Sequence, residues 1–558
     1  MFINNKIWMK PLHCESTSLF PCRGNSNSWE DSDYRIRWEG FVFVNGIPSE
    51  GESLKVFIKE VQSVGIVTAC RLLKGTFFML VENKVSQDMY AFVDNSGLYQ
   101  AYYTDKIIST SFLELIKCEG NTYKDLDLEA VVEFIHLGYI YASRTFFRTI
   151  KKISRGEMLH VLPQDCKVQI LQKYILNIDS DAEKGSKSFR ETFEGLAVSL
   201  SNRKVSIDLT GGFDSRVIAV MLDYFGVDFE TAISGRSDHE DVIISKEVAE
   251  VLGHTHYCTP HSITTLEDDI NELFYVNDGL SNILGYHRLL QHQKERRLRG
   301  IDTMITGEYG GFFNDLMWLQ DFPFYSKRVT NFKRYVNLRI MPIEPDHMML
   351  NDTLIEISTA LRKKIAQYLS KYALSTNTRT YDNIDFNLKM RSIAGRSQTT
   401  NSCFLKSYSP YTDLDMVKIG FNLSRTMRFY DRYRRQILTK INPLVAKICT
   451  TQGGVSASSE TMILARDLFK YVVDKLKRSV IKLEQRALNK EIANIVVSNN
   501  LHLYPYARKM VIMKDHIETL KCIGIINQDI ELAQIKDVYL GRLMTLAMLV
   551  KFMKDKCY

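Results

Sequence analysis

Ile207-Asp208-Leu209-Thr210-Gly211-Gly212-Phe213-Asp214-Ser215-Arg216 is the stretch of this chain best equipped for chemistry. An apolar strand runs into two glycines, and a helical pattern follows. Glycines let backbone amides approach an anion closely, and the start of a helix adds partial positive charge. The hydroxyls of Thr210 and Ser215 can donate to phosphate oxygens. Asp214 repels a phosphate unless a divalent cation lies between them, so the turn predicts Mg²⁺ beside a phosphate. No Lys follows the glycines and the spacing is not G-x-G-x-x-G, so neither common phosphate loop is present. A strand-to-helix turn with only structural duty is the bland alternative.

Such a turn needs a sheet behind it. Strand "KVSIDL", helix "RVIAVMLDYFG", strand "FETAISG", helix "EDVIISKEVAEVLG" and strand "THYCT" alternate from Lys204 to Thr259. That alternation predicts a parallel sheet wrapped by helices. Upstream the pattern differs. Phe41–Gly46, Gly75–Asn83 and Asp88–Asp105 are rich in aromatic and β-branched residues, and Asp94-Asn95-Ser96-Gly97 reads as a hairpin turn. A helical period starts at Leu126, a polar hinge covers Asn177–Ser188, and beyond about Ala360 the chain reads as mostly helical and basic. The 558 residues exceed one ordinary core. Three segments are expected: 1–180, 181–460 and a helical extension over 461–558.

A composition 45% hydrophobic and 25% charged is that of a soluble globular protein, and the formal charge of +7 is small for this length. The densest basic patches, Lys294–Arg299 and Arg425–Arg435, read as solvated helix faces, so no nucleic-acid partner is expected. The ten cysteines are irregularly spaced with no C-x-x-C pair, and the first residues lack an apolar signal core. No run is long enough to cross a bilayer. A cytoplasmic location with free thiols is the expectation. His254, His256 and Cys258 alternate along one strand, and packing rather than a metal is their expected role.

"LTGGFDSR" resembles the pyrophosphate loop Ser-Gly-Gly-x-Asp-Ser of the asparagine synthetase family. Four further segments resemble that family in the same order. Leu126–Val161 is similar to its link between domains, and Ser234–Tyr257 to its second nucleotide-side strand and helix. Ile305–Asp315, "ITGEYGGFFND", stands where the family has Ser-Gly-Glu-Gly-x-Asp-Glu. Ser409–Leu423, "SPYTDLDMVKIGFNL", stands for its Pro-Phe-Leu-Asp segment.

The resemblance implies an α+β N-terminal domain, an antiparallel β-sandwich of the Ntn-hydrolase type. It implies next an α/β parallel-sheet domain of the adenine nucleotide α-hydrolase-like (PP-loop) type, with a helical C-terminal region. It implies a ligase that adenylates a carboxylate with ATP and Mg²⁺, releases pyrophosphate, and lets ammonia or an amine attack. Thr210, Gly211, Gly212, Asp214 and Ser215 would hold pyrophosphate, with Asp214 on the metal. Ser234 and Gly235 would lie by the adenosine, and Thr306 and Gly307 would touch the nucleotide. Glu308 would contact the reacting centre and move a proton, and Asp413 would shape the acceptor site. The acceptor is open: aspartate, or a peptide, small-molecule or sugar (glycan) carboxylate. A homodimer is compatible with this reading.

Three departures qualify it. Phe2 stands where a glutaminase needs Cys, Cys14 and Cys22 are not placed to replace it, and Lys74 stands where an Asp is usual, so glutamine hydrolysis is not expected. Gly311 replaces a metal-ligand aspartate, with Asn314 or Asp315 as the nearby substitutes. The Lys expected near Cys449–Gly454 is missing, leaving Arg432, Arg434 or Arg435 to supply charge. The alternative is a non-catalytic member that binds nucleotide or a partner.

Overall fold

The computed structural model describes residues 7–8, 20–21, 26–162, 168–173, 188–314, 327–342, 348–452, 454–487 and 503–554. It is an α+β structure with an antiparallel sheet near the N-terminus and a parallel sheet with helices later in the chain.

The six-stranded antiparallel sheet comprises β1 (Asn27–Glu30), β2 (Tyr34–Val44), β3 (Leu73–Asn83), β4 (Met89–Val93), β5 (Glu157–Val161) and β6 (Val168–Gln172). Their spatial order is β6-β5-β4-β3-β2-β1. Alternation along β2 separates two cores, because successive side chains point to opposite faces. Ile36, Trp38, Val42 and Val44 pack with Leu54, Phe57, Ile58 and Val61 of helix α1 (Glu50–Val64). Ser49 caps α1 by accepting from the Glu52 amide at 3.2 Å. Phe41 and Phe43 face the other way, with ring centroids 6.1 and 5.4 Å from that of Tyr408, and so join the core of the later unit.

The hairpin expected at Asp94–Gly97 does not form. β4 pairs only with β3 and β5. The buried Asp94 carboxylate accepts from the amides of Ser96, Leu98 and Tyr99 at 3.1, 3.1 and 2.8 Å. A carboxylate that satisfies three amides of its own loop folds the chain locally instead of returning it as a strand. The chain then enters a small three-stranded sheet made by Tyr102–Tyr103, Ile108–Ser109 and Lys151–Lys152.

The parallel sheet contains β7 (Val205–Asp208), β8 (Phe229–Ser234), β9 (His256–Thr259), β10 (Thr303–Ile305) and β11 (Lys406–Tyr408) in the order β9-β8-β7-β10-β11. Helix α2 (Phe213–Tyr224) follows β7, and α3 (Glu240–Leu252) follows β8. Because every pairing is parallel, the loops after β7, β8 and β10 all leave from one edge. That edge is where open parallel sheets bind ligands. The helices of 503–554 share a core with residues of 102–150, 266–290 and 335–388. Among the described residues no helix is long and apolar enough to cross a membrane.

One ionic cluster ties the two sheets together. The Lys74 ammonium donates to both Asp413 oxygens and to Asp415, each at 2.8 Å, and Asp413 caps helix α4 (Leu414–Asn422). Burial works against the Lys74 charge, but the two carboxylates hold its pKa above the ordinary value. Removing a cation from such a cluster leaves two carboxylates facing each other. Lys74→Met should therefore cost about 3 kcal/mol in chemical denaturation. A cost near zero would show that the cluster does not hold the units together.

Candidate functional site

The glycine turn leaves the end of β7 and starts α2 at Gly212, which provides no side-chain cap. The first-turn amides of α2 are thus left to whatever anion the turn receives. The Ser215 hydroxyl folds back to accept from the Thr210 amide at 2.9 Å, and the Thr210 and Ser215 hydroxyls lie 3.1 Å apart. The Gly212 amide reaches only the Thr210 hydroxyl, at 3.4 Å.

The two glycines differ. A Cβ on Gly212 would meet nothing nearer than the Thr210 hydroxyl at 3.6 Å, so that side is open. A Cβ on Gly211 would lie 2.4 Å from Thr451 Cγ2 and 3.1 Å from Asp241 Oδ1. The Gly211 amide already donates to Asp241 at 3.0 Å, and its carbonyl accepts from the Thr451 amide at 3.1 Å. The Gly211 amide is thus occupied, whereas the Gly212 amide has only the long contact to Thr210. Arg216, fully buried, fastens the turn from behind by donating to the carbonyls of Gly211 (3.3 Å), Ile448 (2.9 Å) and Cys449 (2.6 Å).

Asp214 is engaged. Arg434, on helix α5 (Arg432–Ile441) and with a side chain 0% exposed, donates to Asp214 Oδ1 and to Asp431. Asp431 and its neighbour Tyr430 both have left-handed backbones, with φ of 55° and 56°. Of the three arginines named as substitutes for the missing Lys, Arg434 is the one at the turn. Arg435 instead donates to backbone carbonyls at Tyr430, Ser456 and Ser458, and Arg432 is exposed. Asp214 Oδ2 takes no hydrogen bond from a described residue, and the side chain is 39% exposed. Oδ2 is therefore the open oxygen of this carboxylate, while the guanidinium keeps Oδ1. Among the described residues no three of His, Cys, Asp and Glu group as a metal site. His254 pairs with Asp223, whereas His256 contacts Thr231 and Ser245.

The loop after β10 closes over the turn. A Cβ on Gly310 would lie 2.2 Å from Asp214 Oδ1, and one on Gly307 would lie 2.8 Å from the Ser215 amide nitrogen. Only glycine permits that approach. The Thr306 amide donates to the Tyr408 carbonyl at 3.0 Å. Glu308 is half-buried; its Oε2 accepts from Gln398 at 2.9 Å, and Gln398 in turn accepts from Ser407 at 2.6 Å. Burial outweighs the hydrogen bonds from Ser397 and Gln398 and, with the charge of Asp208, pushes the Glu308 carboxyl up to about 7. At the end of β8, Ser234 is buried with its hydroxyl unpartnered, and the Gly235 amide donates to the Thr259 carbonyl at 3.0 Å.

Thr210, Gly211, Gly212, Asp214, Ser215, Ser234, Gly235, Thr306, Gly307 and Glu308 therefore lie along one sheet edge. Asp413 is drawn aside to Lys74 and also accepts from Tyr408 at 3.2 Å. Asp315 and Phe2 lie outside the described residues. Sequence reasoning missed Asp241, Arg216 and Asp208. The Asp208 carboxylate accepts from buried Arg296 at 2.5 Å; burial opposes its charge, but Arg296 and His292 hold its pKa well below the usual carboxylate range. No family model matches the chain, and no curated protein matches it.

Two expected outcomes follow from this geometry. Gly211→Ala should cost about 1–3 kcal/mol through overpacking, while Gly212→Ala should leave the melting temperature unchanged. Equal losses would contradict the two-sided turn. A carboxyl whose pKa is raised on folding adds stability below its unfolded value and loses it as pH rises through the folded one. For Glu308 that window runs from about 4.5 to about 7. Glu308→Gln should flatten the fall in melting temperature across it; an unchanged slope would place the titration elsewhere.

Proposed function

We propose that the chain is an ATP-dependent ligase of the asparagine synthetase kind, which adenylates a carboxylate and passes the acyl group to ammonia or an amine. The observation that carries this reading is an uncapped helix start and a half-buried carboxylate, Glu308, on the same sheet edge. The amides at Gly212 and the first turn of α2, with the Thr210 and Ser215 hydroxyls, bind the phosphates. Asp214 Oδ2 would hold Mg²⁺, which neutralises phosphate charge when bound. Gly307 and Gly310 keep the loop after β10 close to the turn. Ser234 and Gly235 lie by the adenosine. Glu308, whose carboxyl burial holds above the usual carboxylate range, takes a proton from the attacking amine.

In this reading residues 1–180 form a degenerate glutaminase-like domain, 181–460 the synthetase domain and 461–558 a helical extension. Support for a lost glutaminase comes from Lys74, which is committed to Asp413 and Asp415. The second reading is a protein that binds nucleotide or a partner without turnover. It is favoured by Arg434 on Asp214 and by Asp241 on the Gly211 amide.

Pyrophosphate release from ATP and Mg²⁺ across a panel of carboxylates separates the two. Release with at least one acceptor, abolished by Asp214→Ala, is the expected outcome. ATP binding without release for any carboxylate would favour the second reading.

A further inference from the structure

One long helix of the later chain is apolar on its outer side. Helix α6 (Thr461–Ala487) runs for 27 residues, about 40 Å at the ordinary helical rise. Its inner side rests on the body of the protein. Tyr471 is buried against Tyr430 and Val455, and Leu464 and Leu468 pack beside them. The buried Asp467 carboxylate accepts from the Ser456 amide at 2.9 Å and fixes the same side.

The outer side presents large apolar residues to solvent. Met462, Phe469, Val472, Leu476, Val480 and Leu483 are all exposed, from 40% at Val472 to 88% at Met462. At 3.6 residues per turn these six fall in one stripe roughly 80° wide. Single exposed apolar side chains are ordinary, but a continuous row along one helix marks an interaction surface. Arg466, Lys470 and Lys477, also exposed, fall together along one border of the stripe. Arg466 keeps a 2.8 Å contact to Asp467. Over the sequence of the helix, basic residues outnumber acidic ones by seven to three.

We infer that α6 lies along an anionic phospholipid surface, its apolar stripe among the acyl chains and its basic border on the headgroups. The charges select this occupant. A phospholipid layer is apolar below and negatively charged above, which matches an apolar stripe bordered by cations. A second copy of the chain matches it poorly. A coiled-coil seam alternates spacings of three and four, yet the residues three after Leu476 and Leu483 are Ser479 and Arg486. Antiparallel copies would also set the row of Arg466, Lys470 and Lys477 beside itself, where like charges repel. The helix rests on the surface without crossing it, because its inner side stays on Tyr430 and Val455. None of this depends on the ligase reading.

Co-sedimentation of the full chain with vesicles tests the inference. At low salt, vesicles of equal parts phosphatidylserine and phosphatidylcholine should bind about tenfold more tightly than phosphatidylcholine alone. High salt should remove most of that difference. Phe469→Asp and Leu476→Asp should each weaken binding to the mixed vesicles by about tenfold or more. Both should keep the parent's melting temperature, since neither side chain is buried. Reversing Lys470 and Lys477 together to Glu should weaken binding to the mixed vesicles and leave phosphatidylcholine binding unchanged. Failure to bind the mixed vesicles, or equal binding to both kinds, would overturn the inference. So would a melting temperature lowered by the two Asp variants, which would mean that the chain itself covers the stripe. A dimer in light scattering that Leu476→Asp turns into a monomer would give the stripe to a second copy, and would overturn it too. Pyrophosphate release, or its absence, bears on the ligase reading and leaves the vesicle result standing.

Discussion

The Arg434 guanidinium, buried between Asp214 and Asp431, is the contact on which the geometry of the site depends. It joins the first turn of α2 to α5 and to a left-handed backbone pair at Tyr430 and Asp431. Non-glycine residues adopt that backbone at a cost, and the surrounding contacts must hold it. Removing the guanidinium would take from the buried Asp431 carboxylate the cation it faces. Arg216 does parallel work on the other side of the turn, binding the carbonyls of Gly211, Ile448 and Cys449. The back of the turn is thereby fixed by two buried arginines, and only the Gly212 face is left to receive a ligand.

The rigidity has a consequence for electrostatics. One oxygen of Asp214 is already neutralised by a permanent cation, so a metal at Oδ2 would join a carboxylate whose orientation is set in advance. Preorganised charge of this kind costs no rearrangement when a ligand arrives. The same economy appears between the sheets. Phe41 and Phe43 of β2 enter the core of the parallel unit beside Tyr408, and Lys74 reaches Asp413 and Asp415 at the start of α4. The N-terminal unit thus supports the segment that carries Tyr408, and the Tyr408 carbonyl in turn holds the Thr306 amide beside Glu308.

Much of this was legible in the sequence because it is written locally. The strand-turn-helix alternation from Lys204 to Thr259 gave the parallel strands and the position of the glycine turn. The helical period starting at Leu126 likewise marks a real helix, Leu128–Leu137. What stayed hidden depends on contacts far apart in the chain. Arg434 could be named only as one of three arginines, since its 220-residue separation from Asp214 leaves no local signal. Asp241 is a first-turn acid of α3 with no local signal of its role, because the Gly211 amide that it occupies is 30 residues away. Asp94 read as a hairpin residue, but its buried carboxylate gathers three amides and turns the chain out of the sheet. Asp413 matched a motif, and its side chain proved to be committed to a lysine 339 residues away.

The most direct test of the central claim is a crystal structure of the chain with Mg²⁺ and an ATP analogue whose α–β bridging oxygen is replaced by CH₂. That analogue cannot release pyrophosphate, so it should remain whole in the site. The account predicts its β- and γ-phosphates on the amides of Gly212 to Ser215, with the metal on Asp214 Oδ2 and Arg434 still on Oδ1. Phosphates bound elsewhere, or a turn that stays empty at saturating analogue, would contradict it.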